Sequence, residues 1–245
     1  MKNYFLFIVC TFLWCSCTNN TILFEDDFEN QSIGKLPGHP WKKTGNGSVV
    51  VDTLRAFSGK KSIHFISGEG YKNRAFIGID HIFPVQENRF YGRLKMYVEE
   101  APRDGIHWTM IQSSGKVKGH DFSSEIRYGG QHQKRLMANY ETQGVKSDCW
   151  QHSQTKIPEE KWFTLQWMFD GEKDTMKLWL NNVLIESIIV VGQGEGCVSN
   201  EIDGKWKFPV FENMLIGWVD YQTGGGTRSI WIDDVVLSER MISDK

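Results

Sequence analysis

"RFYGRLKMYV", residues 89–98, decides the fold. Phe90, Gly92, Leu94, Met96 and Val98 fall on one face, and Tyr91, Arg93, Lys95 and Tyr97 on the other. That period of two is the mark of a strand with one face buried and one wet. "IHWTMIQ" (106–112) repeats it, setting Ile106, Trp108 and Met110 against His107, Thr109 and Ile111. "FTLQWMFD" (163–170), "TMKLWLNN" (175–182), "VLIESIIV" (183–190), "NMLIGWV" (213–219) and "SIWIDDVVLS" (229–238) read as further strands. The breaks between them are turn chemistry: Asp170-Gly171, Asn181-Asn182 and "TGGGT" at 223–227. No segment carries a sustained helical stripe, and only "IPEEKW" (157–162) suits one helical turn. The pattern predicts an all-β sandwich of two antiparallel sheets in a single domain, each sheet giving one face to the core.

The ends set the compartment. The run from Tyr4 to Trp14 follows Lys2 and is too short to span a bilayer, which takes about 20 apolar residues. It suits the core of a signal peptide. Ser16-Cys17 closes it in the manner of a bacterial lipoprotein signal, in which Cys17 becomes the acylated first residue; an ordinary secretory signal is the alternative. Residues 1–17 are therefore expected to be the signal, 18–21 a short linker, 22–240 the sandwich and 241–245 a tail. The protein is expected at the outer membrane or cell surface, in the periplasm or outside the cell, held to a membrane only by lipid.

Export leaves Cys149 and Cys197 as a pair in an oxidising compartment, where a disulfide between them is the expected state. A formal charge of −2 over 245 residues carries no basic footprint for nucleic acid. It leaves room for a local cationic groove. Collected on the polar face of a curved sheet, Tyr91, Arg93, Lys95, Tyr97, His107, Thr109, Glu125 and Arg127 would line such a groove. Aromatic rings stacking on sugars, with cations pairing carboxylates, suit a polysaccharide chain.

"LFEDDFENQSIGKLPGHPW" (23–41), "AFSGKKSIHF" (56–65) and "SIWIDDVVLS" resemble the concanavalin-like jelly rolls of polysaccharide-active proteins. "FYGRLKMYV", "HWTMIQ" and "EIRYGG" (125–130) resemble more narrowly the fungal cellulose-induced lyase-like proteins and the glucuronan lyases. The resemblance implies a jelly roll and a calcium ion tying the first strand region to the last. Its ligands would be the Glu29 carboxylate, oxygens around Ser58 and Lys61, and the Asp234 carboxylate. Lys61 departs from the neutral polar residue of many relatives. If only its carbonyl binds, the ion is kept; if its side chain points inward, its ammonium replaces the ion. No organic cofactor is implied.

The resemblance further implies a polysaccharide lyase that cleaves a uronate-containing glycan by β-elimination, acting as a monomer. Such an enzyme must neutralise a carboxylate, remove the C5 proton and protonate the leaving oxygen. Arg127 is expected to hold the carboxylate, with Glu125 orienting it and His107 acting as acid or base. Arg93, Tyr91, Lys95 and Asn139 would bind substrate. The third role falls to Tyr221 in "GWVDYQ" (217–222), with Tyr140 in reserve. Alternation groups Tyr221 with Leu215 and Val219, a set that suits a groove or a core. Two other readings stand beside the lyase: a non-catalytic carbohydrate-binding module or surface glycan-binding lipoprotein, and a scaffold using the fold alone. A hydrolase would need two carboxylates facing one groove, and Glu125 has no same-face carboxylate on its own strand.

Overall fold

The computed structural model describes residues 22–143, 147–192 and 205–243. Cys17 and Cys197 lie outside them, as does the expected signal peptide. Among the described residues no helix is long and apolar enough to cross a membrane.

Two antiparallel sheets face each other. One orders its strands β13 (Val183–Leu184), β12 (Thr175–Leu180), β11 (Trp162–Asp170), β6 (Arg89–Val98), β17 (Arg228–Ser238), β4 (Ser62–Ser67) and β3 (Ser48–Asp52), with β1 (Ile22–Asp26) on β17 and β14 (Val190–Val191) on β12. Its centre is β6, flanked by β11 and β17. The other runs β10 (Asp148–Lys156), β9 (Arg135–Gln143), β8 (Ser123–Gln131), β7 (Trp108–Lys116), β16 (Met214–Asp220), β5 (Ala75–Ile79) and β2 (Lys42–Thr44), with β15 (Val210–Phe211) added to β7. Its centre is β7, flanked by β8 and β16, and β10 is an edge strand.

The alternation explains the core. Phe90, Leu94, Met96 and Val98 from β6 meet Ile126 and Tyr128 from β8, Leu136 and Ala138 from β9, and Ile216 and Trp218 from β16. Trp108 and Trp218 stack with ring centroids 4.6 Å apart. The paired glycines of "EIRYGG" make room for this stack: a Cβ on Gly130 would overlap the Trp108 ring, and one on Gly129 its backbone carbonyl.

Several expectations need correction. Residues 183–190 are not one strand but β13 and β14 around a 3₁₀ turn at Glu186–Ile188, and 157–162 forms no helical turn before β11. Ile111 joins Met110 in the core instead of facing out with Thr109, because a bulge between Thr109 and Ile111 shifts the β7–β8 register and advances the face by one residue. Tyr91, Arg93, Lys95 and Tyr97 do lie on the polar face of β6, but β6 belongs to the other sheet from β7 and β8. Its polar face looks out from the opposite side of the sandwich, so these four do not line a groove with His107 and Arg127. Arg93 instead donates to the Ser243 carbonyl at 3.1 Å. The Lys95 ammonium donates to Thr164 Oγ1 at 2.9 Å and sits over the Phe57 ring.

Candidate functional site on the eight-stranded sheet

The polar face of the second sheet gathers the remaining candidates. On β16, Ile216 and Trp218 face the core, which leaves Leu215, Val219 and then Tyr221 on the outer side. The choice left open for Tyr221 thus falls to the groove. Asp220 fixes the strand end, accepting from Trp218 Nε1 at 2.8 Å and from Arg228 Nε at 3.0 Å.

His107 lies just before β7 and is pinned by its backbone. Its N–H donates to Gln222 Oε1 at 2.7 Å, and its carbonyl accepts the Tyr221 N–H at 2.9 Å. The imidazole stacks on the Tyr221 ring at 4.6 Å, and Tyr221 stacks on Tyr71 at 5.9 Å. Tyr221 Oη lies 3.2 Å from Thr109 Oγ1. Among the described residues His107 Nε2 is buried with no hydrogen-bond partner.

Burial, reinforced by the Arg127 and His152 charges, pushes the His107 imidazole down to about 4. Burial also raises the Tyr221 phenol, against the pull of the Arg127 guanidinium. At neutral pH the pair is therefore a neutral imidazole beside a protonated phenol. This bears on stability. Folding holds His107 neutral where the unfolded chain, with an imidazole pKa of about 6.5, takes up a proton. The contribution is fully present above about pH 6.5 and is lost as pH falls toward 4, amounting to roughly 3 kcal/mol. Urea midpoints at pH 4 and pH 7 should differ less in His107→Gln than in wild type. Equal pH dependence in the two would show that the His107 imidazole is not held neutral.

Arg127 forms the floor. Its side chain is 6% exposed, and it bonds Glu125 through Nε and Nη2, Glu141 through Nη2 at 2.6 Å, and Asn139 Oδ1 through Nη1 at 2.9 Å. Burial opposes the guanidinium charge, and the Glu125 and Glu141 carboxylates more than restore it. Asn139 in turn donates to Asp148 Oδ1 at 3.0 Å and to the Cys149 carbonyl at 3.2 Å. Burial raises the Asp148 carboxyl, with Asn139 acting against it.

Glu141 and Asp148 are site residues that the pattern of single strands missed. Register supplies them: Glu125 pairs with Glu141 across β8–β9, and Glu141 with Asp148 across β9–β10. The same-face carboxylates that Glu125 lacks on its own strand are thus present on its neighbours. Both glutamates are bound to one guanidinium, so neither is poised as an unengaged acid or nucleophile.

The cavity over these residues measures about 490 Å³. A second of about 310 Å³ continues past Tyr71 and Glu125 toward Lys42 and Gln112. A third of about 360 Å³ continues past His107 and Asp148 to Trp150, His132 and His152. Shared lining residues make the three one elongated groove. His132 and His152 border its end. Trp150 does so too, whereas Trp41 and Trp206 are core. The reserve candidate Tyr140 is fully buried in the core, where burial pushes its phenol up to about 12. Cys149, also buried, is disulfide-bonded.

The four residues expected around calcium do not combine into an ion cage. Glu29 Oε1 accepts the backbone N–H groups of Lys60 and Lys61 at 2.8 and 2.7 Å. Ser58 Oγ donates to Asp234 Oδ1 at 2.7 Å. The Lys61 ammonium points inward, onto the Glu29 and Gln31 carbonyls. A cation already holds the carbonyl oxygens that a hard metal would need, so the donor set does not fit a divalent ion.

Residues 27–240 match the family described as polysaccharide lyase-like, Cip1-like, core domain. The structure is similar to that of the cellulose-induced protein Cip1, with a TM-score of 0.66 and 22% identity over 91% of this chain and 100% of that one. It is also similar to an endo-β-1,4-glucuronan lyase from the fungus Trichoderma reesei, with a TM-score of 0.60 and 12% identity over 90% and 96% of the two chains. A botulinum neurotoxin type C structure shares the fold at a TM-score of 0.53 and 16% identity, over 91% of this chain and 49% of its own. None of the curated proteins matches the chain.

Proposed function

The chain belongs to the polysaccharide lyase-like family with a Cip1-like core domain, and from that premise we propose that it cleaves a uronate-containing glycan by β-elimination in this groove. One observation carries the reading: the unbonded, buried Nε2 of a neutral imidazole lies beside a protonated phenol, above a charged arginine. His107 Nε2 takes the C5 proton, and the Tyr221 hydroxyl gives its proton to the departing glycosidic oxygen. The C5–H and C4–O bonds break and a C4–C5 double bond forms. Arg127 offsets the charge that develops on the substrate carboxylate. For direct contact that carboxylate takes the place of Glu141, whose side chain is 49% exposed and holds Arg127 from the rim. The elongated groove suits a chain bound at several sugars, with Trp150 as a stacking surface at one end.

A second reading, glycan binding without catalysis, is favoured by one feature. The Arg127 fork is engaged by Glu125, Glu141 and Asn139 and meets substrate only if a partner moves. Incubation with a panel of uronate polymers, followed by far-ultraviolet absorbance of the unsaturated product, separates the two. A rise is expected with at least one polymer; saturable binding without any rise would replace the lyase by the binding module.

Export, acylation of Cys17 and a Cys149–Cys197 bridge belong to the same proposal. The intact mass of the mature protein checks all three. It should begin at Cys17, carry added acyl mass and fall two hydrogens short of the reduced chain; a free, unmodified Cys17 would overturn the lipid anchor.

A further inference from the structure

The segment from Phe57 to Lys61 joins the two ends of the domain, and it does so with its own charges. On one side it grips β17: the Asp233 carboxylate accepts the N–H groups of Phe57 and Ser58 at 2.8 and 3.2 Å, and Ser58 Oγ reaches Asp234. On the other side it grips the turn after β1. Glu29 Oε1 caps two successive N–H groups of the segment, and Lys61 Nζ donates to the Glu29 carbonyl at 2.6 Å and the Gln31 carbonyl at 2.9 Å. Gly59, at φ 57°, lets the segment turn this tightly, since a Cβ there would overlap the Glu29 carboxylate.

We propose that the Lys61 ammonium is the resident cation of this junction, standing where the family resemblance places calcium, and that the domain is therefore indifferent to calcium there. The chemistry of the donors carries the inference. Two carbonyl oxygens turned toward one point are a cation site, whichever cation fills it. A divalent ion needs six to eight oxygens and repels an ammonium in its midst. A lysine needs only an acceptor for each proton, and its charge is delivered by the chain itself, at a fixed stoichiometry and with no dependence on the medium. The tie is then permanent wherever the protein is exported.

Thermal melts of the whole protein test this, in chelator and in millimolar calcium, for wild type, Lys61→Met and Lys61→Asn. Wild type should melt at one temperature in both media. Lys61→Met keeps the stem but loses the charge, and should melt lower by about 5 °C in both. Lys61→Asn should melt lower in chelator and recover in calcium, because the amide adds an oxygen and frees the two carbonyls for the metal. A wild-type melting temperature that drops in chelator would overturn the proposal, as would a Lys61→Met protein that melts like wild type. A Lys61→Asn protein that ignores calcium would also count against it, since the junction would then not be a cation site.

Discussion

His107→Ala should lower turnover on the responsive polymer by about 10²–10⁴-fold while leaving glycan affinity within a few-fold of wild type, the signature of a positioned base. The imidazole nitrogen assigned to the proton is buried but unbonded, so its loss removes no structural hydrogen bond. What it removes from the fold is the ring stack on Tyr221, a contribution on the order of 1 kcal/mol. Tyr221→Phe should give a comparable loss of turnover, since it deletes only the hydroxyl and keeps both stacks. Single-turnover rates measured beside equilibrium binding make the distinction. A His107→Ala enzyme with full turnover would remove His107 from the chemistry. One that lost binding in proportion to turnover would make it a contact residue.

Arg127→Ala should behave differently, destabilising the domain by roughly 3–5 kcal/mol, as expected when one partner of a buried ion pair is removed. Sequence alone places Arg127 on a polar sheet face, where substitutions usually change stability by less than about 0.5 kcal/mol. The structure buries it and makes it the hub for Glu125, Glu141 and the Asn139 amide. Its removal takes the guanidinium away from the Glu125 carboxylate, which is only 12% exposed. Glu141 is half-exposed and regains water, so most of the penalty sits on Glu125. Adding Glu125→Gln to Arg127→Ala should accordingly restore part of the lost stability, because the buried carboxylate that has lost its guanidinium is then a neutral amide. Urea unfolding of the single and double variants gives the comparison. An Arg127→Ala protein within about 0.5 kcal/mol of wild type would mean that the network is a solvated surface feature.

Alternation identified the wet face of β6 and the outward placing of Arg127, because period two follows from strand geometry alone. It could not say which sheet a strand joins. Arg93 and Arg127 look equivalent in sequence, yet the pairing of β6 with β11 and β17 puts them on opposite sides of the molecule. It could not see a bulge either, and one extra residue at Thr109–Ile111 was enough to turn Ile111 inward. Glu141 and Asp148 were invisible for a related reason. Cross-strand neighbours depend on register, which no single strand encodes. The direction of Lys61 was the hardest to read. Its carbonyl and its ammonium were both plausible contributors to the junction, and only packing against the turn at Glu29–Gln31 chose the ammonium.

We propose that bond cleavage in this groove is an elimination driven by His107 and Tyr221. Mass spectrometry of the products formed in heavy-oxygen water tests it most directly. Elimination adds no water, so the new non-reducing end should be unsaturated, one water lighter than the hydrolysis product and free of heavy oxygen. Saturated products carrying heavy oxygen would contradict the account and turn attention to Glu125, Glu141 and Asp148 as a hydrolase set.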